Sequence, residues 1–177
     1  TNGSSQTGNS IYVNVSSSTT LANHYTFVDF DKSVVGWWRM DDINSTGGVV
    51  DLSSYSNNAT IVNVTFNSSG KFGNASQFNS TSLGYIAPPP SALNVTGNLT
   101  ISAWINPASD NGDFESIVTK SCLAQSPDVT QFYFAYGYFG NRLVQFAISN
   151  YSEKVILQGS TSLNANNWYH VVGRFNG

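Results

Sequence analysis

The sequence predicts an all-β fold: a two-sheet antiparallel jelly-roll sandwich over residues 33–177, preceded by an N-terminal extended arm, residues 1–32. Three observations carry that expectation. Short β-branched and aromatic segments recur at spacings of roughly 8–15 residues, split by Gly, Asn and Ser turns. Several of them alternate apolar and polar residues with a period of two. No segment sustains a 3.6-residue apolar period flanked by caps.

Residues 1–10 (TNGSSQTGNS) are a polar stretch, a linker or frayed end. Ile11–Val15 and Tyr25–Phe30 read as strands, either the close of an immunoglobulin-like repeat or an arm that packs elsewhere. Val34–Met40 is expected as an aromatic strand, Asp41–Gly48 as a turn-rich loop, and Ala59–Phe66 as a strand closed by the turn Ser68-Ser69-Gly70. In Leu99–Ile105, Leu99, Ile101, Ala103 and Ile105 face one way, while Thr100, Ser102 and Trp104 face the other; Pro107 ends the run. Ile117–Lys120 is short. Gln131–Phe139 is long, with Phe132, Phe134, Tyr136 and Tyr138 on one face. It pairs with Leu143–Ile148 across Gly140-Asn141, a dipeptide that tolerates positive φ. Val155–Leu157 follows, then Trp168–Phe175 with Tyr169, Val171, Gly173 and Phe175 on one side. Two sheets can bury most of the aromatic side chains, and at about 25 cal/mol per Å² that is ample drive for folding.

Composition narrows the function. Charged residues are 10% of the 177, with 7 Lys+Arg against 10 Asp+Glu. A nucleic-acid surface needs clustered cations, which a net charge of -3 and scattered Lys/Arg do not supply. A disordered tail has high charge and few aromatics, the reverse of this chain. A coiled coil is rich in Glu, and only Glu115 and Glu153 occur. No apolar run approaches the roughly 18–20 residues of a membrane span. The one cysteine, Cys122, excludes an intrachain disulfide; it is a small buried apolar residue or a thiol that pairs with another chain. The chain starts at Thr1 with no leader, which reads as a processed product or fragment.

About a third of the chain is Asn, Ser or Thr, and eleven Asn-x-Ser/Thr sequons occur: Asn2, Asn14, Asn44, Asn58, Asn63, Asn67, Asn74, Asn79, Asn94, Asn98 and Asn150. Chance at this composition would give roughly four or five. Covalent N-glycans there would keep a charge-poor surface wet. The expectation is an extracellular, heavily glycosylated protein, and with no disulfide a microbial, particularly archaeal, surface.

From Val34 onward six segments, in order, resemble the laminin-G-like, concanavalin A-like jelly-roll modules of microbial cell-surface proteins. They are Trp37–Asp42, Val50–Thr60 (like D-x-S-x-x-x-N-x-A/G-T), Gly70–Phe78 (like GKFGxAxxF), Leu99–Pro107 (like LTISAWIxP), Ile117–Lys120 (like IVSK) and Trp168–Val172 (like WYHVA). Two departures stand out. Where such modules carry Asp-Gly beside a ligand or calcium loop, this chain has Asn79-Ser80-Thr81, itself a sequon. The modules also continue past a turn here reading Phe175-Asn176-Gly177, so further residues or another chain are expected to complete the sheet, with Ile11–Val15 as one donor strand.

Catalysis has little to stand on. Glycosidases of this fold need two carboxylates flanking the scissile bond. Glu115 and Glu153 are isolated, and strand neighbours Asp41 and Asp42 point to opposite faces. His24 and His170 are far apart in sequence, without metal-ligand spacing. By resemblance alone, Asp41, Asp42 and Asp51 are candidate calcium ligands; as residues they read first as turn formers. A sugar platform could use Tyr133, Tyr136, Tyr138 and Tyr151 with Asn141 and Asn150, although such rings also serve as core. The expected function is non-catalytic: adhesion, carbohydrate binding or surface architecture, with surface glycans, neighbouring copies or other surface proteins as partners. The alternative is a structural subunit of an extracellular filament or surface layer, assembled by strand exchange.

Overall fold

Leu99–Ile105 (β5) and Tyr169–Phe175 (β10) alternate strictly in sequence, and in the computed structural model they pair antiparallel along their whole length, from Tyr169↔Ile105 to Phe175↔Leu99. The structure describes residues 16, 18, 29, 31–79, 81–94, 97–108, 114–122, 129–137, 140–149 and 154–177, without the side chains of 121, 122, 129 and 130. Ile11–Val15, most of Tyr25–Phe30, His24, Tyr138, Tyr151, Asn150 and Glu153 lie outside the described residues. The chain divides into two units, Thr1–Ser33 and Val34–Gly177. In the first, the Ser33 amide donates to the Asp29 and Asp31 carboxylates, both at 3.1 Å.

The second unit is all-β among the described residues. Glu115–Cys122 (β6), Val129–Tyr136 (β7), Leu143–Ser149 (β8) and Lys154–Ser162 (β9) form an antiparallel sheet in the order β6-β7-β8-β9. The β5–β10 pair faces it. Between them lie Phe134, Phe146 and Val171, ringed by the inward residues of β5 and β10 together with Ile117, Val144 and Ile148. Phe134 and Phe146 meet edge to face, 5.9 Å between centroids. This is the jelly-roll sandwich that the period-two pattern predicts.

Residues 60–87 are built differently. Thr60–Val62 (β1) pairs with Tyr85–Ala87 (β4), and Thr65–Asn67 (β2) with Ala75–Gln77 (β3). The single strand expected over Ala59–Phe66 therefore splits. Asn63 takes φ 52°, its Nδ2 donates to the Ser82 carbonyl (2.9 Å), and the Ser82 hydroxyl donates back to the Asn63 carbonyl (3.3 Å). Val34–Met40 is not a strand either. Its backbone groups bond the side chains of Asp51 and Asn57 and the Leu52 amide instead of a ladder, and Met40 has φ 69°.

Three further expectations are corrected. β7 ends at Tyr136, and the turn to β8 places Gly137, Gly140 and Arg142 in the left-handed region rather than Asn141. Asn141 instead accepts the Leu143 amide through Oδ1 (3.1 Å). The strands around Ile117–Lys120 and Val155–Leu157 are longer, eight and nine residues. Among the described residues the aromatic side chains are not mostly buried: Phe132, Tyr133, Phe134 and Phe146 are, but Tyr55, Phe66, Phe72, Phe78, Tyr85, Trp104 and Phe114 are exposed.

The sheets approach closely at Gly173. A Cβ there would stand 2.8 Å from Phe146 Cγ and 2.9 Å from Cδ2, inside van der Waals contact. Gly173→Ala is expected to destabilise the domain by about 1–3 kcal/mol, the usual cost of overpacking a core, read as a lower denaturant midpoint with unchanged slope.

Candidate functional site

The loop Val50–Thr60 turns around one buried carboxylate. Asp51 is 3% exposed. Its Oδ1 accepts the amides of Trp37 (2.7 Å) and Ser53 (2.9 Å); its Oδ2 accepts the Ser53 hydroxyl (2.8 Å) and the Asn57 amide (2.8 Å). The Asp51 amide in turn donates to Asn58 Oδ1 (2.9 Å). Burial alone would raise the pKa of this carboxyl; the donors from Trp37, Ser53 and Asn57 outweigh it and hold the pKa below the ordinary 3.8. With four donors on two oxygens, the lone pairs a cation would need are already engaged.

Asn57 carries that anchoring to the surface. Its Nδ2 donates to the Val35 carbonyl (3.1 Å), and its carbonyl accepts Trp38 Nε1 (3.1 Å). Beside it opens a pocket of about 190 Å³ lined by Val35, Tyr55, Asn57, Ser91, Ala92, Leu93 and Asn94. The far wall is held by Lys120 of β6, whose ammonium donates to the carbonyls of Pro90 (3.1 Å) and Ala92 (2.6 Å) and to Asn94 Oδ1 (2.6 Å). Desolvation lowers the Lys120 pKa. The pocket thus offers a half-exposed phenol ring, two amides and a hydroxyl, and no carboxylate.

The other sequence candidates do not gather there. Asp41 Oδ1 accepts the Asn74 amide (2.7 Å), and its Oδ2 lies 3.7 Å from Arg39; Asp42 lies 3.3 Å from Arg39 Nε. Gly73, φ 72°, presses against the Asp41 carboxylate, where a Cβ would meet oxygen at 2.4 Å. Among the described residues no group of three His, Cys, Asp or Glu stands close enough to hold a metal ion. Glu115 sits on β6 opposite Tyr136.

Tyr133 is no open platform. Phe114 meets its ring edge-on at 5.2 Å, Lys154 Nζ lies 4.8 Å over it, and its hydroxyl donates to Gln145 Oε1 (3.4 Å). Tyr136 lies on the opposite face of β7 from Tyr133. Trp104 is exposed but covered on its faces: His170 stacks at 5.1 Å, Lys71 Nζ lies at 5.0 Å, and Phe72 meets it edge-on. His170 Nε2 is also hydrogen-bonded to Ser102 Oγ (2.8 Å).

Of the sequon asparagines, Asn58, Asn63, Asn67, Asn74, Asn79, Asn94 and Asn98 are exposed and Asn44 is half-buried; Asn2, Asn14 and Asn150 lie outside the described residues. Asn44, Asn58, Asn67 and Asn79 each accept backbone amides through Oδ1, leaving the bonding of the turn to the oxygen while a glycan would take the nitrogen. Tyr55, Ser91 and Lys120 were not legible as site residues, because only the fold brings positions 35, 55, 57, 91–94 and 120 together.

A laminin G family model, described as the concanavalin A-like lectin/glucanases superfamily, matches residues 79–177. It spans β4 to β10 and the Ser91–Asn94 wall of the pocket. No curated protein and no solved structure gives a significant match to the chain.

Asp51→Asn is expected to cost about 3 kcal/mol, since an NH₂ would then confront buried N–H donors. Because the native Asp51 pKa lies below 3.8, its contribution is full above that pH and fades as pH falls through the native value. Acid titration of unfolding should show that loss in the wild type and lack it in the variant.

Proposed function

Because the chain belongs to the concanavalin A-like lectin/glucanases superfamily, we propose that it is a non-catalytic, extracellular, N-glycosylated module that binds carbohydrate in adhesion or surface architecture. The observation that carries this reading is the pocket at Tyr55, Asn57, Ser91 and Asn94. A sugar ring presents an apolar face and a rim of hydroxyls. Tyr55 can pack on the face, while the amides and Ser91 can exchange hydrogen bonds with the rim. A neutral sugar is favoured, because the Lys120 ammonium beside the pocket is already held by three oxygens.

The carboxylates support binding over turnover. A retaining glycosidase needs two of them about 5–5.5 Å apart across the bond it cleaves. None lines this pocket, Asp51 is enclosed by donors, and Asp41 and Asp42 stand beside Arg39. The exposure of Asn58, Asn63, Asn67, Asn74, Asn79 and Asn98 supports the glycoprotein reading, which leaves Asn94 of the pocket unmodified. The alternative, a filament or surface-layer subunit completed by strand exchange, draws on β9, which has a neighbouring strand on one side only among the described residues.

A neutral-oligosaccharide array should show retention of the wild-type protein, with Tyr55→Ala lowering affinity about tenfold, or about 1.4 kcal/mol. No retention of any neutral glycan would sink the reading. Peptide mapping of protein recovered from its natural source should find hexose-bearing masses at Asn58, Asn63, Asn67, Asn74 and Asn79; unmodified peptides at all five would remove the glycoprotein part.

A further inference from the structure

Beyond the sugar pocket, and independent of it, β9 is the outer strand of the four-stranded sheet among the described residues and is exposed along all nine of its own. Edge strands are ordinarily blunted by charge, proline or bulges, since their unpaired amides and carbonyls template further pairing. The second half of β9 follows that rule. Between the pairs Gln145↔Gln158 and Leu143↔Ser162 the register slips, so Gly159–Thr161 bulges from the ladder. The first half does not. Lys154–Gln158 pairs with β8 in unbroken register, and Val155, Ile156 and Leu157 are 58%, 49% and 59% exposed.

We infer that Lys154–Gln158 is a self-association edge, which pairs antiparallel with the same strand of a second copy of this chain about a twofold axis at Ile156. The regular stretch is five residues long and Ile156 is its centre. Twofold pairing there sets Val155 opposite Leu157, Ile156 opposite Ile156 and Lys154 opposite Gln158. Each apolar side chain meets another, and the one charge meets an amide, so no like charges oppose. A five-residue strand pair falls well short of the ~800 Å² per partner of a stable complex, so the dimer is weak and builds with concentration.

Light scattering on the full chain, from micromolar to millimolar, should show the mass rising from the 19.1 kDa polypeptide value toward twice that. Ile156→Lys should stay monomeric with an unchanged thermal midpoint. In a Cys122→Ser background, Ile156→Cys should oxidise to a 156–156 dimer. If either variant fails to fold, amide exchange of the wild type replaces it: protection at 154–158 must rise with concentration. A constant monomer mass and concentration-independent exchange would overturn the inference. So would cross-links joining β9 to residues 11–15, which would make the arm the occupant.

Discussion

Every backbone amide and carbonyl that leaves water needs a partner, and in residues 34–98 the ladders are too short to supply them. β1 to β4 are three residues each. Side chains take over. Asp51 collects the amides of Trp37, Ser53 and Asn57, Asp41 takes that of Asn74, and Asn44, Asn58, Asn67 and Asn79 close their own turns. The abundance of Asn, Ser and Asp is thus a structural requirement of this half as much as a surface property. The pocket inherits its shape from the same bonds, because Asn57 is positioned through Asp51 and through Val35.

This explains what could be read from the sequence. β5 and β10 are half-buried strands facing one core, so alternation declares them, even to the inward Gly173 under Phe146. Val34–Met40 looked like a strand because it is apolar and aromatic, but its hydrogen bonds go to Asp51, Asn57 and Leu52, which no periodicity records. Asn63 breaks an apparently continuous strand through one left-handed residue. The motif GKFG was recognisable by resemblance, yet its reasons are spatial: Gly73 lets the chain pass the Asp41 carboxylate, and Lys71 and Phe72 close around Trp104. The pocket was illegible because its walls come from separate loops.

Aromatic residues illustrate the same separation of composition from role. Tyr133 and Trp104 are rings that composition nominates for stacking on sugar, but their faces are occupied by the protein's own cations and rings. Tyr55, which has no place in a strand, is the ring at the pocket. Asn-x-Ser/Thr sequences are dense where the ladders are short and sparse where they are long.

The ammonium of Lys120 does in one loop what many surface loops assign to a divalent ion: three oxygens from residues 90–94 converge on a single positive centre. Such a centre is covalently tethered. It cannot be stripped by a chelator, lost on dilution or exchanged when the ionic make-up of the surroundings changes. That wall of the domain therefore keeps its geometry in media where ion-dependent loops would come apart.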